Sequence, residues 1–253
     1  MLKKKLFFKK IEYYLRTRNF IPGYNSFHYL ISLILKPLIS KKFFLIISLK
    51  KKNSYKQDSI NYKNYQDYLE WQQAGFNLKQ NSVWVSEKNI KKICDNLKLT
   101  KKVSLLCLGT RNGKEQLLFK KYLPKNSFVL GFEVSNKAKN YPNTIRWDFN
   151  FLNQKYINKF DFVYSNSHDH LFKKKNILKW FKYLKSNGIL FLDQSEAHGK
   201  LYSDKMDPTS FETELLPYEI LDISKNTIYP YKMITTYDQP DSMRRKIFYF
   251  KKN

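Results

Sequence analysis

The stretch VSLLCLGTRNGKE, residues 103–115, sets an apolar run directly before a turn with two glycines, Gly109 and Gly113. A helix-like run, Lys114 to Tyr122, follows. An apolar segment as short as Val103 to Cys107 suits a strand buried on both faces. Glycine lets the backbone approach a ligand closely, and a helix start offers unpaired N–H groups. Strand, turn and helix start therefore form a place for the polar part of a nucleotide-like ligand. Arg111 stands where a G-x-G-x-x-G motif needs its second glycine, so a dinucleotide fingerprint is weak here.

Outward from this stretch, the pattern alternates. Strands are predicted at 103–108, 128–133, 144–147, 160–165, 189–193 and 246–250. Helices are predicted at 113–122, 173–185 and 209–215. Upstream, Asn64 to Ala74 reads as a helix closed by Gly75, and Ser86 caps a helix whose Ile90, Ile93, Cys94 and Leu97 share one face. The fold class expected is α/β, a Rossmann-like, mostly parallel seven-stranded sheet with helices on both faces, over residues 61–253. Residues 1–60 form a separate N-terminal extension. Ligands of such sheets bind at the carboxyl ends of the strands, and those ends carry a coherent set of residues.

The second strand, FVLGFE, ends in Glu133, a carboxylate placed to accept hydrogen bonds from two neighbouring ribose hydroxyls. The third ends in Trp147-Asp148-Phe149, an acid for an exocyclic amine beside an aromatic to cover a base. The fourth, FDFVYSNSHDH, ends in Ser165, Asn166, Ser167, His168, Asp169 and His170. Asp161 sits at the other end of that strand and reads as structural. Asp193 ends the fifth strand, either as a catalytic acid or as polar punctuation, and residues 196–220 read as a lid or acceptor loop.

This ordered set resembles the class I S-adenosylmethionine-dependent methyltransferases, in the variant with a CLGTRNG-type turn and an NSxDH-like fourth-strand end. The resemblance spans about residues 83 to 200, and it implies S-adenosylmethionine as cofactor. Carried over by position, it implies Cys107, Gly109, Thr110, Arg111 and Gly113 along the methionine and ribose part of the cofactor. Glu133 would hold the ribose hydroxyls, Asp148 and the Phe149 backbone would read the adenine, and Ser165 with Asn166 would lie beside the methyl group. Many members have an acid at the place of Cys107 and a glycine at the place of Arg111. The acceptor implied is an oxygen or nitrogen nucleophile of a sugar, a lipid-linked or glycan-linked compound or another small molecule. Nucleic acid is the runner-up, and a non-catalytic binding module on the same scaffold is the competing class.

For catalysis, Asn166, His168, Asp169 and His170 are the candidates, and sequence leaves three readings of the histidines open. One histidine, oriented by Asp169, takes the acceptor's proton. Alternatively they cap a helix without proton chemistry. Least favoured is a metal site with His198, so no metal is expected.

The formal charge of +26 invites a nucleic-acid reading, but only six of the 47 basic residues are Arg, a Lys bias that base composition alone produces. Residues 1–56 carry 14 Lys or Arg against one acid, Glu12, which is half of the whole excess. Residues 3–18 read as a basic amphipathic helix, and the apolar runs at 27–35 and 43–49 fall short of the roughly 20 residues a spanning helix needs. This segment reads first as a helical layer packed on the main domain, the alternative being peripheral contact with an anionic membrane. Cys94 and Cys107, far apart in apolar contexts, read as free thiols of a cytoplasmic protein.

Overall fold

The structure, a computed structural model, describes residues 62–195, 198, 205–211, 213, 216–225, 227–228, 230–237 and 244–252. The N-terminal extension and part of the expected lid loop lie outside them. Among the described residues no helix is long and apolar enough to cross a membrane.

Seven strands form one sheet: β1 (Ser104–Leu108), β2 (Phe128–Glu133), β3 (Thr144–Arg146), β4 (Phe160–Ser165), β5 (Leu184–Ser195), β6 (Pro230–Tyr237) and β7 (Arg244–Lys251). Their order is β3-β2-β1-β4-β5-β7-β6. The first five run parallel, with Leu106 of β1 in register with Leu130 and Val163, and β7 lies antiparallel between β5 and β6. Strand order reverses on either side of β1, and that switch point opens a crevice at the carboxyl ends.

Period-two alternation divides β1 between two cores. Leu106 and Leu108 face one side with Phe132, Trp180 and Phe248, whereas Leu105 and Cys107 face the other with Ile90, Phe119 and Tyr164. The second face is covered by α2 (Glu87–Leu97) and α3 (Lys114–Tyr122). Ser86 caps α2 as expected, its hydroxyl accepting from Asn89 N at 3.2 Å.

Three expectations are corrected, and one strand is added. The helix opening at Asn64, α1 (Tyr65–Lys79), does not stop at Gly75. Gly75 is buried within it, and a Cβ there would lie 3.4 Å from Met206 Sδ, so the glycine serves close approach of a loop rather than termination. The run 173–185 is a 3-10 helix over Lys174–Tyr183. Ile177, Trp180 and Tyr183 are wholly buried at a spacing of three, which that tighter helix stacks on one face. Residues 209–211 form no helix, because Thr209 N donates to Asp169 O (2.8 Å) and Phe211 N to His198 O (3.0 Å). The helix falls later, as α4 (Leu216–Ile223), with Pro217 in its first turn where the missing N–H costs nothing. Finally, β6 had no clear sequence signature: it is an edge strand opening on Pro230, with half-exposed residues 231–234.

At the amino end of β4, Asp161 accepts from Ser104 N (2.8 Å), Ser104 Oγ (2.7 Å) and Lys185 Nζ (2.9 Å). Its structural role stands.

Candidate functional site

The turn after β1 winds left-handed at every second residue: Gly109 (φ +73°), Arg111 (φ +47°) and Gly113 (φ +72°). Its N–H groups do not wait for an anion. Gly109 and Thr110 donate to Phe132 O (2.9 and 3.3 Å), Gly113 to Thr110 O (3.0 Å), and Arg111 to Glu133 Oε2 (2.8 Å). The turn therefore offers a close backbone surface rather than a phosphate cradle. Ser167 presses on it from the β4 end, its Oγ donating to Gly109 O at 3.0 Å.

Two adjoining cavities open here, sharing Gly109, Arg111, Ser167 and His170. The narrower, about 40 Å³, is walled by Glu133, Asp148 and Phe149 from the sheet and by Tyr68, Gln72 and Phe76 from α1. Glu133 is buried and accepts from Arg111 N and Ser135 N (3.0 Å), which leaves lone pairs on both oxygens. Burial raises its pKa, against the pull of those N–H groups. Asp148 accepts from Asn150 N (2.7 Å) and from the Tyr65 hydroxyl of α1, so its partners are these rather than the neighbouring Arg146. Trp180 Nε1 donates to Phe149 O (3.0 Å) and fixes the aromatic wall. Thus α1 lies across the very residues expected to hold a nucleoside.

The wider cavity, about 260 Å³, is lined by Thr110, Arg111, Asn166, Asp169, His170 and by residues that sequence reading did not single out, Glu115, Asp207 and Arg245. Asp207 comes from the loop after β5. That loop is held by Gln72 Nε2 donating to Met206 O (2.7 Å), and Lys79 Nζ stands 3.3 Å from Asp207 Oδ2. An Asp-Pro pair in an expected acceptor loop is the one signal that could have flagged it.

Several predicted residues belong elsewhere. Cys107 is fully buried in the core under α3 and lines neither cavity; burial, with the Glu115 carboxylate next, pushes its thiol well up and leaves it inert. Ser165 is also fully buried, donating to Leu108 O (3.1 Å) and accepting from Ser167 N (3.1 Å), so it ties β1 to the β4 loop. Gly113 caps α3 and lines neither cavity. His168 is wholly buried, bonded to Gln194 and edge-on to His198, and burial drives its pKa down to about 3. A neutral, enclosed imidazole takes no acceptor proton; His170 is the histidine in the cleft. Asp193 is structural as well, joined to Tyr164 OH (3.0 Å) and Asn89 Nδ2 (3.3 Å).

Glu115 is 7% exposed, its Oε2 has no hydrogen-bond partner, and burial lifts its pKa from 4.5 to about 8. A carboxyl whose folded pKa exceeds its unfolded value holds a proton that the unfolded chain has already released. Its contribution to stability is complete below pH 4.5 and is lost as pH rises toward 8. Glu115→Gln, which keeps the shape but cannot ionise, is expected to flatten the decline of Tm across that window and to melt higher than the parent at pH 8. Parallel declines in the two proteins would mean that Glu115 is ionised in the fold.

No family model matches the chain, and no curated protein matches it. Solved structures do resemble it. The 1,6-didemethyltoxoflavin-N1-methyltransferase of Burkholderia thailandensis, crystallised with 1,6-didemethyltoxoflavin and S-adenosylhomocysteine, superposes with a TM-score of 0.56 at 13% identity, over 76% of this chain and 92% of that one. The N-methyltransferase NodS of Bradyrhizobium japonicum WM9, in complex with S-adenosylhomocysteine, gives 0.51 at 11% identity, over 71% and 97%. The [4+2]-cyclase SpnF gives 0.51 at 13% identity, over 66% and 80%. Identities this low speak to the fold and not to the reaction.

Proposed function

We propose, from the class I methyltransferase fold this chain has, that it is an S-adenosylmethionine-dependent methyltransferase acting on an oxygen or nitrogen nucleophile of a small molecule. Sugars and lipid-linked or glycan-linked compounds are the acceptor class we favour. The observation that carries the reading is Glu133. Its carboxylate ends β2, faces the narrow cavity with lone pairs to spare, and has Asp148 and Phe149 beside it. A carboxylate so placed suits the paired hydroxyls of a ribose, and Asp148 with the Phe149 wall suits an adenine. When bound, the cofactor supplies an electrophilic methyl group on a sulfonium.

The chain's own contribution is alignment and exclusion of water. Gly109 brings the backbone close, Ser165 and Ser167 pin the β4 loop against the turn, and Asn166 faces the wider cavity where an acceptor fits. Entry of a nucleoside requires α1 to yield, since the Tyr65 hydroxyl occupies Asp148. Peripheral membrane contact through residues 1–56 and a cytoplasmic site belong to the same reading and rest on sequence alone.

Isothermal titration with S-adenosylmethionine and S-adenosylhomocysteine tests the proposal; saturable binding supports it, and no binding of either at millimolar concentration removes it. Arg111→Gly refines the turn. The left-handed backbone of Arg111 favours glycine, offsetting glycine's entropy in the unfolded chain, so Tm is expected to stay within about 3 °C. Loss of the guanidinium from both cavities should weaken S-adenosylhomocysteine about tenfold, equivalent to about 1.4 kcal/mol. Unchanged affinity would place the cofactor carboxylate away from this residue.

A further inference from the structure

The ring of His170 has its orientation fixed by α1. Gln72 Nε2 donates to Met206 O at 2.7 Å, which turns Gln72 Oε1 toward His170 Nδ1 at 2.9 Å. Facing an acceptor, Nδ1 must carry a proton. In the neutral ring Nε2 is then a lone pair, and it points at Asp207 Oδ1 (3.1 Å) and Asp169 Oδ1 (3.9 Å). A lone pair turned on two carboxylates is repulsive, so the arrangement calls for positive charge at its centre.

A proton, on Nε2 or on one of the carboxyls, or a metal ion can supply it. A proton on Nε2 serves Asp207 but leaves Asp169 Oδ1, which is buried, has no hydrogen-bond partner and lies too far for N–H···O. An ion serves all three atoms, which lie within 4.8 Å of one another. Ligands at about 2.1 Å from a shared ion stand roughly 3.0–3.5 Å apart, so His170 and Asp207 (3.1 Å) are already spaced for one and Asp169 must draw in toward them. The outer oxygens are already turned to positive or N–H groups: Asp207 Oδ2 to Lys79 Nζ (3.3 Å), and Asp169 Oδ2 to His198 Nε2 (3.9 Å). That leaves both Oδ1 atoms directed inward, as ligands held by their surroundings are.

We propose that Asp169, His170 and Asp207 bind a divalent first-row transition-metal ion, reversing the sequence expectation of a metal-free site. One imidazole with two carboxylates suits Mn²⁺ or Zn²⁺ better than a soft monovalent ion, and three protein ligands leave positions open to the 260 Å³ cavity. The site stands independently of methyl transfer. If the cleft takes S-adenosylmethionine, the ion lies in the acceptor half beside Asn166, placed to bind an acceptor oxygen and favour its deprotonation.

The test uses the tag-free full chain, stripped with chelator, dialysed, and titrated calorimetrically with Mn²⁺ and Zn²⁺, with Mn²⁺ followed by electron paramagnetic resonance. We expect one equivalent bound at micromolar or better affinity. Asp207→Asn should weaken it about 10- to 100-fold, and so should Gln72→Leu, which touches the ring but not the ion. Far-ultraviolet circular dichroism and the S-adenosylhomocysteine titration report separately on the fold and on the nucleoside half. No saturable binding of either ion by the folded parent overturns the proposal, as does equal affinity in the folded Asp207→Asn variant; His170 would then be an imidazolium, with both ring nitrogens protonated by NMR.

Discussion

Glu133→Ala is expected to lower S-adenosylhomocysteine affinity by at least about 100-fold while the chain stays folded. A ribose placed on this carboxylate gives two charge-assisted hydrogen bonds, each worth about 1.5–3 kcal/mol, and about 2.7 kcal/mol already amounts to 100-fold. Stability should move little, for two opposing reasons. Removing the side chain deprives Arg111 N and Ser135 N of their acceptor, but it also removes a carboxylate whose ionisation burial disfavours. Glu133→Gln should fall between parent and alanine, keeping one acceptor oxygen without the charge. Calorimetric titration with a melting curve for each variant separates the effects. Parent-like affinity in a folded Glu133→Ala protein would place the ribose elsewhere and remove the main support for the proposed cofactor.

Gly109→Ala is expected to be strongly destabilising, and Gly113→Ala is its control. Both glycines have φ near +70°, where an alanine costs about 1–2 kcal/mol. Their surroundings differ. A Cβ on Gly109 would sit 2.7 Å from Ser167 Cβ and 3.0 Å from Phe149 Cε1, whereas one on Gly113 would find its nearest neighbour, Tyr141 Cβ, at 3.4 Å. Overfilling adds about 1–3 kcal/mol at the first site only. We therefore expect a loss of about 2–5 kcal/mol in chemical denaturation for Gly109→Ala against about 1–2 for Gly113→Ala. Relief by Ser167→Gly in a double variant would tie the excess to the contact between the turn and the β4 loop. Equal costs at the two positions would mean that positive φ alone matters.

These predictions rest on features that differ in how far the chain announces them. The bounds of β2 and β4 follow from largely apolar runs, because a parallel strand buried on both faces takes charge only near its ends, where Asp161 and Glu133 lie. Glu133 is equally legible, as the first acid after such a run. The 3-10 geometry of Lys174–Tyr183 is not, since periods of 3.0 and 3.6 differ little over ten residues. Nor is β6, whose half-exposed edge position demands no alternation.

Sequence by itself determined the α/β class, the strand-end position of Gly109, Glu133, Asp148 and Asn166, and the core that carries them. It did so because burial and backbone freedom are local demands. Which neighbours share the cleft was decided by tertiary structure alone. Cys107 sits two residues and Ser165 one residue from groups that line it, yet both side chains are fully buried. His168 and His170 differ by two positions in one 3-10 turn, one sealed against Gln194 and the other open to the cavity. Asp207 meets Asp169 and His170 only because α1, far away in sequence, grips the loop after β5 through Gln72 and Lys79. Contacts made across such distances depend on where the chain returns, and no local pattern of residues records that.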